Sequence, residues 1–360
     1  MGLRAPALVT SDLAQVEVIA PHFKRRLSGV TSTVIQLVPV QNRLGQKVAT
    51  FGPGLPSHLP SMSAADLFRL WRPPVGRRHR VWHARRNIEM LPGILLRDVL
   101  RMPLKLVFTS ASQRKHSGWT KWLISKMDRV IAVCRKTAAY LERESTVILH
   151  GIDLERFSPA PDKAAAKQAL GLDPARRHVG CFGRVRHQKG TDLFIDAMIR
   201  LLPDHPDWVA VVAGRATAKH VAFEDALKAK VKAAGLGDRI LFVGEHTNIN
   251  AWYRALDLFV APQRWEGFGL TPLEAMATAV PVVAADVGAF AELIVDGQTG
   301  TMVERGSLDS FAAGIAPYLA DPALCTQHGE NALAHMRASF SIEREAAAIG
   351  EVYAELLSHG

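Results

Sequence analysis

Short runs rich in Val, Ile, Leu and Ala recur along this chain, each followed by a longer stretch with helical period. In the first half the runs are Val16 to Pro21, Lys47 to Phe51, Val81 to His83, Leu104 to Phe108, Arg129 to Val133 and Thr146 to Leu149. In the second half they are His178 to Phe182, Trp208 to Ala213, Arg239 to Val243, Leu258 to Ala261 and Val280 to Ala284. Strand followed by helix, repeated, predicts an α/β architecture with parallel sheets, because parallel neighbours must be joined by a crossover. Ile88 to Arg101 and Lys136 to Arg143 read as two of the crossover helices, and Ile342 to Leu357 as one terminal helix.

The pattern lapses at His150 to Lys163, HGIDLERFSPAPDK, where Gly, two Pro and charges replace periodic apolar residues. This predicts two doubly wound domains in tandem, 1–157 and 158–341. Ligands bind at the carboxyl ends of strands in such sheets, so two facing domains would hold a site in the cleft between them. At 360 residues and 48% hydrophobic content, both domains can bury a core. No apolar run reaches the 18 residues of a membrane span, and the segment from Met1 to Gln15 has no signal-like apolar core. Cys134, Cys181 and Cys325 are far apart, which suits a reducing compartment and forms no metal-ligand cluster. A cytoplasmic protein is expected.

Charge is unevenly spread. Residues 1–157 hold 25 Lys and Arg against 10 Asp and Glu, while the remainder holds 19 against 24. The clusters Lys24-Arg25-Arg26, Arg77-Arg78-His79-Arg80, Arg85-Arg86, Arg114-Lys115-His116 and Arg135-Lys136 all fall in the first half. Any one of them reads as a solvated face. Together they predict a surface that attracts a polyanion, either nucleic acid or an anionic membrane leaflet. A nucleic-acid binder predicts aromatic residues interleaved with the basic patches on a known binding fold, and the tandem α/β pattern shows neither, so no nucleic-acid partner is expected.

Two loops carry candidate chemistry. After the strand Leu258 to Ala261 the chain reads EGFGLTPLE, Glu266 to Glu274. Gly267 and Gly269 allow positive φ, Thr271 is a good N-cap and Pro272 fits the first helical position, so the turn delivers a helix N-terminus whose free N–H groups suit phosphate. Thr271-x-x-Glu274 is also a capping box, which leaves Glu274 divided between cap and ligand. Glu266, between Trp265 and Phe268, reads as a functional acid. After the strand His178 to Phe182 the chain reads GRVRHQKG, Gly183 to Gly190, where Arg184 and Lys189 can converge on an anion or remain surface charges. The spacing is neither that of a dinucleotide-binding fingerprint nor that of a P-loop.

HGID with F-x-P (His150 to Pro159), FGR and KG (Phe182 to Gly190), Ala213-Gly214, EGFGLTPLE, PVVA (Pro281 to Ala284) and DGQTG (Asp296 to Gly300) occur in this order. Together they resemble a family 4 retaining glycosyltransferase. The resemblance implies the GT-B fold, two Rossmann-like doubly wound domains facing a central cleft, with the helix 342–360 returning to the N-terminal domain. It implies a donor site of Gly183, Arg184, Lys189, Gly214, Glu266, Gly267, Phe268, Gly269, Leu270, Thr271 and Glu274. Arg184 and Lys189 would contact the donor diphosphate, Glu274 the ribose and Glu266 the transferred sugar. It further implies retention of configuration with no bound metal and no cofactor, the acceptor proton passing to the departing phosphate, so Arg184, Lys189 and Glu266 would carry the catalysis. On the acceptor side the match is weaker. His83-Ala84-Arg85 stands where relatives have two histidines spaced by one, and Ala111 stands at the position of another. Ser28, Gly29, His83 and Arg85 are the acceptor-side candidates, with a buried, hydrogen-bonded role for His83 left open.

VWHARRNIEM (Val81 to Met90) and FTSASQRKH (Phe108 to His116) are similar to segments of rhizobial lipopolysaccharide-core mannosyltransferases. That similarity implies GDP-mannose as donor and an anionic, lipid-linked, Kdo-containing glycan as acceptor. An anionic membrane surface would then meet the cationic half, at the inner face of the cytoplasmic membrane. A UDP- or ADP-sugar donor is the alternative within the class, and a nucleotide-sugar epimerase an alternative outside it.

Overall fold

The computed structural model describes residues 12–24 and 29–358. Met1 to Ser11, Ser28 and the Arg25-Arg26 part of the first basic cluster lie outside the described residues, as do the last two residues of the 342–360 segment. The chain divides into two compact units: one runs to Gly151 and resumes at Ile342, and the other is Ile152–Ser341. The division falls before the Pro-rich stretch that marked it in the sequence. The reason is Arg254, which donates to Ser158 O at 2.7 Å, to Ser158 Oγ at 2.9 Å and to Arg156 O at 3.1 Å, fastening that stretch to the second unit.

The first unit is a parallel sheet of seven strands: β1 Val18–Pro21, β2 Val48–Phe51, β3 Ser61–Met62, β4 Arg80–Ala84, β5 Leu104–Ser110, β6 Arg129–Ala132 and β7 Thr146–Val147, in the order β3-β2-β1-β4-β5-β6-β7. Successive residues of a strand face opposite sides, and the two cores follow from that alternation. Val18, Val81, Val107 and Ile131 enter one core, and Ile19, Trp82, Leu106 and Val130 the other. The terminal helix Ile342–Ser358 completes the first core. Ile342, Ala346, Ile349, Tyr353 and Leu356 form one stripe at helical spacing, packed with Val34, Leu37 and Val38 of the helix Gly29–Arg43. Each of its larger apolar side chains contributes on the order of 1.5–3 kcal/mol by burial.

The second unit is a parallel sheet of six strands: β8 Arg177–Phe182, β9 Trp208–Ala213, β10 Ile240–Gly244, β11 Leu258–Ala261, β12 Val282–Ala285 and β13 Gly300–Val303, in the order β10-β9-β8-β11-β12-β13. Both sheets therefore start in the middle, grow to one edge and then reverse, which is the Rossmann order. The reversal falls between β1 and β4 in one unit and between β8 and β11 in the other. Loops leaving those strands diverge to opposite faces and leave a crevice.

Three local expectations are corrected. The edge strands β3 and β13 carry no strong apolar run and are formed by pairing with β2 and β12. The helix expected over Ile88 to Arg101 is α-helical only over Asn87–Ile94 and continues as a π-helical turn, Leu95–Val99. Pro92 lies inside the α-helical part and removes an N–H from the ladder. The helix expected over Lys136 to Arg143 is the single turn Arg135–Ala139, capped by Cys134, whose sulfur accepts from Thr137 N–H.

Buried polar groups tie the terminal helix to its sheet. His83 is fully buried, with Nδ1 2.5 Å from Tyr353 Oη and Nε2 2.6 Å from Thr109 Oγ1. Burial, and then the Arg85 charge, hold the imidazole well below its usual pKa, so it is neutral and has one donor and one acceptor to satisfy. Tyr353→Phe leaves the Nδ1 side of that ring without its partner. The expected cost is about 1–3 kcal/mol, read as a lower urea midpoint at unchanged slope.

Candidate functional site

The β8 and β11 loops flank the reversal of the second sheet, and their side chains meet there. Lys189 Nζ is ion-paired with Glu266 Oε2, both side chains being about one-fifth exposed. The other carboxylate oxygen accepts from Gly267 N–H at 3.2 Å. A second brace lies beside this pair. Arg264 donates to both oxygens of Asp192 at 2.7 and 2.8 Å and to His187 O at 2.7 Å, a bidentate fork that fixes the β11 loop against the helix after the β8 loop. Backbone contact closes the same seam: Gly190 has φ 71°, and a Cβ there would stand 1.9 Å from Pro262 O. Only glycine permits the two loops to approach so closely.

Of the two glycines in EGFGLTPLE, Gly269 adopts positive φ, at 91°, and Gly267 does not. A Cβ on Gly269 would strike the Phe290 ring at 2.2 Å and Glu266 Cγ at 2.9 Å, so this glycine lets Glu266 fold against the turn. The helix that follows is Thr271–Ala277, with Leu270 at its N-cap and no side-chain cap. The capping box does not form. Thr271 is one position too late for it, its Oγ1 accepting instead from Gln263 Nε2 at 3.4 Å, and the Glu274 carboxylate turns away to accept from Tyr253 Oη at 2.8 Å. Phe182 and Phe259 pack on that tyrosine ring. Burial raises the Glu274 carboxyl above the usual range, opposed by the Tyr253 hydrogen bond and the Arg156 charge. Glu274 is thus a partly buried acid with acceptor capacity left over, at the head of a helix.

Arg184 is exposed on the β8 loop, next to Gly183. Gly183 N–H bonds Ala213 O at 2.9 Å, and a Cβ on Gly214 would meet Gly183 O at 1.8 Å, so the β8 and β9 loops also touch. Phe268 is buried beneath the turn. One further cation went unnoticed in the sequence. Arg186 Nε is buried without a hydrogen-bond partner, and burial, followed by the charge of Arg184, lowers its pKa while Glu266 raises it. Its alternation with Arg184 in the sequence R-V-R was the available signal. The second unit therefore gathers Arg184, Arg186, Lys189, Glu266 and Glu274 on loops and a helix start at the sheet's switch point, a set able to bind an anion and the hydroxyls beside it.

The acceptor-side candidates lie in the first unit. Gly29 is exposed at the start of its helix, Arg85 is partly buried with Nη1 donating to His83 O at 3.3 Å, and His83 has both ring nitrogens bonded inside the core. A different cluster sits at the ends of β1 and β4, the switch point of this sheet. Arg86 Nη1 donates to the buried Glu89 at 2.8 Å and reaches His22 Nδ1 at 3.1 Å, and Arg85 N–H donates to Glu89 at 2.8 Å. Among the described residues, no group of three or more His, Cys, Asp or Glu is placed as metal ligands are.

Parallel sheets of Rossmann order with converging cationic and acidic loops define an α/β enzyme of the anion-binding kind. Residues 162–335 match the model of the glycosyl transferases group 1 family. The chain is 64% identical over 348 residues to the lipopolysaccharide core biosynthesis mannosyltransferase LpsB of Rhizobium meliloti (strain 1021), covering 96% of this chain and 99% of that protein. It is 62% identical to the corresponding enzyme LpcC of Rhizobium leguminosarum bv. viciae, over 96% and 98%. The crystal structure of Anabaena Alr3699/HepE in complex with UDP shares the fold, with TM-score 0.80 and 19% identity over 94% of this chain and all of that one. The chain belongs to the group 1 glycosyltransferases and has their GT-B fold.

Glu274 provides a test of the site. A folded-state pKa above the unfolded one penalises the ionised form, so the stability linked to this group is present below about pH 4.3 and is lost as pH rises through the folded value. Glu274→Gln removes that penalty. The variant is expected to melt higher than the parent at neutral pH, with the difference closing in acid, while its nucleotide affinity falls about tenfold or more. Calorimetry across pH and a nucleotide titration read the two effects.

Proposed function

We propose that this enzyme transfers mannose from GDP-mannose to a lipid-linked, anionic lipopolysaccharide inner-core acceptor. Transfer retains the anomeric configuration, needs no metal and takes place at the inner face of the cytoplasmic membrane. The observation that carries the reading is the Lys189–Glu266 pair across the β8 and β11 loops, beside Arg184 and Glu274, in a chain so similar to LpsB.

The chemistry follows from what each group offers. Lys189 has three N–H donors, so it can hold Glu266 with one and a diphosphate oxygen with another. Arg184 adds a fork suited to phosphate, and both cations stabilise the negative charge that develops as the nucleotide leaves. Glu274, fixed by Tyr253, offers an acceptor for the ribose hydroxyls. Glu266, pinned by Lys189 and the Gly267 N–H, offers one for the hydroxyls of the sugar. With the groups held this way, the acceptor oxygen can attack from the face the leaving phosphate occupies and pass its proton to that phosphate. Positioning and electrostatics then supply the rate enhancement, without a protein nucleophile. The excess of basic residues in the first unit supports an anionic acceptor and an anionic lipid surface.

Titration with GDP-, UDP- and ADP-sugars is expected to select GDP-mannose, and selection of a UDP-sugar would replace the donor assignment. Lys189→Ala should weaken nucleotide binding about tenfold to a hundredfold, since a charged hydrogen bond is lost. Activity is expected to persist in excess chelator. Loss that magnesium restores would overturn the metal-free mechanism. Incubation with donor alone should leave the sugar unchanged, whereas conversion would mark an epimerase.

A further inference from the structure

Large apolar side chains are exposed almost entirely on one unit. Among the described residues twelve of the fourteen such side chains belong to the first unit, and nine of these fall between Phe68 and Trp122. Phe68 is 76% exposed, Val99 65%, Trp119 52%, and Trp71 and Leu95 47% each. Soluble chains rarely leave so many large apolar groups together in water without a partner for them.

The elements that carry most of these groups are bonded to one another. Trp71 Nε1 donates to Leu100 O at 2.8 Å, joining the turn at Phe68 and Trp71 to the π-helical segment Leu95–Val99. From that segment Arg97 donates to Lys126 O at 2.9 Å and to Asp128 at 2.9 Å, joining it to the end of the helix Gly118–Ser125. On that helix Trp119 and Trp122 stack at 5.1 Å, and Lys126 Nζ lies 5.9 Å over the Trp122 ring.

We infer that this surface, from Phe68 through Leu95–Leu100 to Trp119 and Trp122, inserts into the interface of an anionic lipid bilayer. The inference rests on the membrane-proximal reading above and changes its physics, because attraction of basic residues to lipid charge alone needs no exposed tryptophan. Two features favour lipid as the occupant. The span Asp66 to Asp128 carries 14 Lys and Arg against 4 Asp and Glu, complementary to acidic headgroups. Trp71 has its indole N–H satisfied by the protein's own backbone, so the ring can enter an apolar layer without stranding a donor. Paired tryptophans rimmed by lysines match the headgroup level of a bilayer, apolar on one side and charged on the other. The sequence pattern alone had shown no aromatic residues interleaved with the basic clusters. The helix Gly118–Ser125 exposes Trp122 between Lys121 and Lys126, with Trp119 stacked on it after Lys115, which corrects that reading.

The test is co-sedimentation of the full chain with phosphatidylglycerol–phosphatidylethanolamine vesicles at low and at molar salt, with brominated lipid as a quencher of tryptophan emission. Wild type is expected to keep a bound fraction at molar salt and to be quenched. Trp119→Ala/Trp122→Ala should lose that fraction, with partition down roughly tenfold or more, while its urea unfolding midpoint, which reports folding of the unit that carries the tryptophans, and its nucleotide affinity, which reports the other unit, stay unchanged. Trp119→Phe/Trp122→Phe should keep binding and lose most of the quenching. Binding that is wholly salt-sensitive and equal in wild type and the alanine variant would overturn insertion and leave the electrostatic membrane reading standing. No vesicle binding at any salt would overturn both. Salt-sensitive binding of an RNA homopolymer that the alanine variant loses, with no quenching by lipid, would assign the surface to nucleic acid instead.

Discussion

Opposite charges clipped across the switch point of the second sheet are the constraint on which the site depends. β8 and β11 are neighbours, but the chain leaves them toward different faces, so their loops would splay apart without a tie. The Lys189–Glu266 pair and the Arg264–Asp192 fork close that gap, and Gly190 lets the backbones touch. Exposed ion pairs contribute little to stability. These are partly buried, one is bidentate, and what they chiefly provide is placement: a cation and an acid whose separation is set before any ligand arrives. Both oxygens of the Glu266 carboxylate are engaged in the same way, one by Lys189 and the other by the Gly267 N–H.

Both sheets have their crevice in the same topological place, yet the two are furnished differently. In the second unit the crevice holds three cations against two acids that keep acceptor capacity. In the first, Arg86 is bonded to both Glu89 and His22, and His83 is sealed in the core with Tyr353 and Thr109. Burial keeps His83 neutral, and a neutral ring with both nitrogens engaged serves the docking of the terminal helix.

The sequence made the two α/β units legible because parallel strands announce themselves by apolar runs, and made the Gly183–Gly190 and Glu266–Glu274 loops stand out because glycine and charge lie just past strand ends. What it hid has physical causes. β3 and β13 are strands by virtue of their neighbours. The capping box failed on a shift of one residue, since the helix starts with Leu270 as cap, and backbone geometry decides that position. Arg186 is separated from Arg184 by one buried valine, and only folding shows that Arg186 lies within reach of the charges of both Arg184 and Glu266. The division between units escaped composition because Arg254, nearly a hundred residues on, claims Arg156 and Ser158 for the second unit.

Exposed tryptophans were hidden for a similar reason. In the segment SGWTKWLIS, Trp119 and Trp122 three apart read as well as a buried stripe as an exposed one. The fold decides against burial, because Thr120, Leu123 and Ile124 already fill the inward face of that short helix. Side chains of that size left outside the core weaken the case for a purely electrostatic surface. Charge draws a protein toward a leaflet over a Debye length, while apolar area acts only on contact. On the proposed reading, a unit carrying both would hold the enzyme where a lipid-linked glycan presents its sugar, and the second unit would bind the donor.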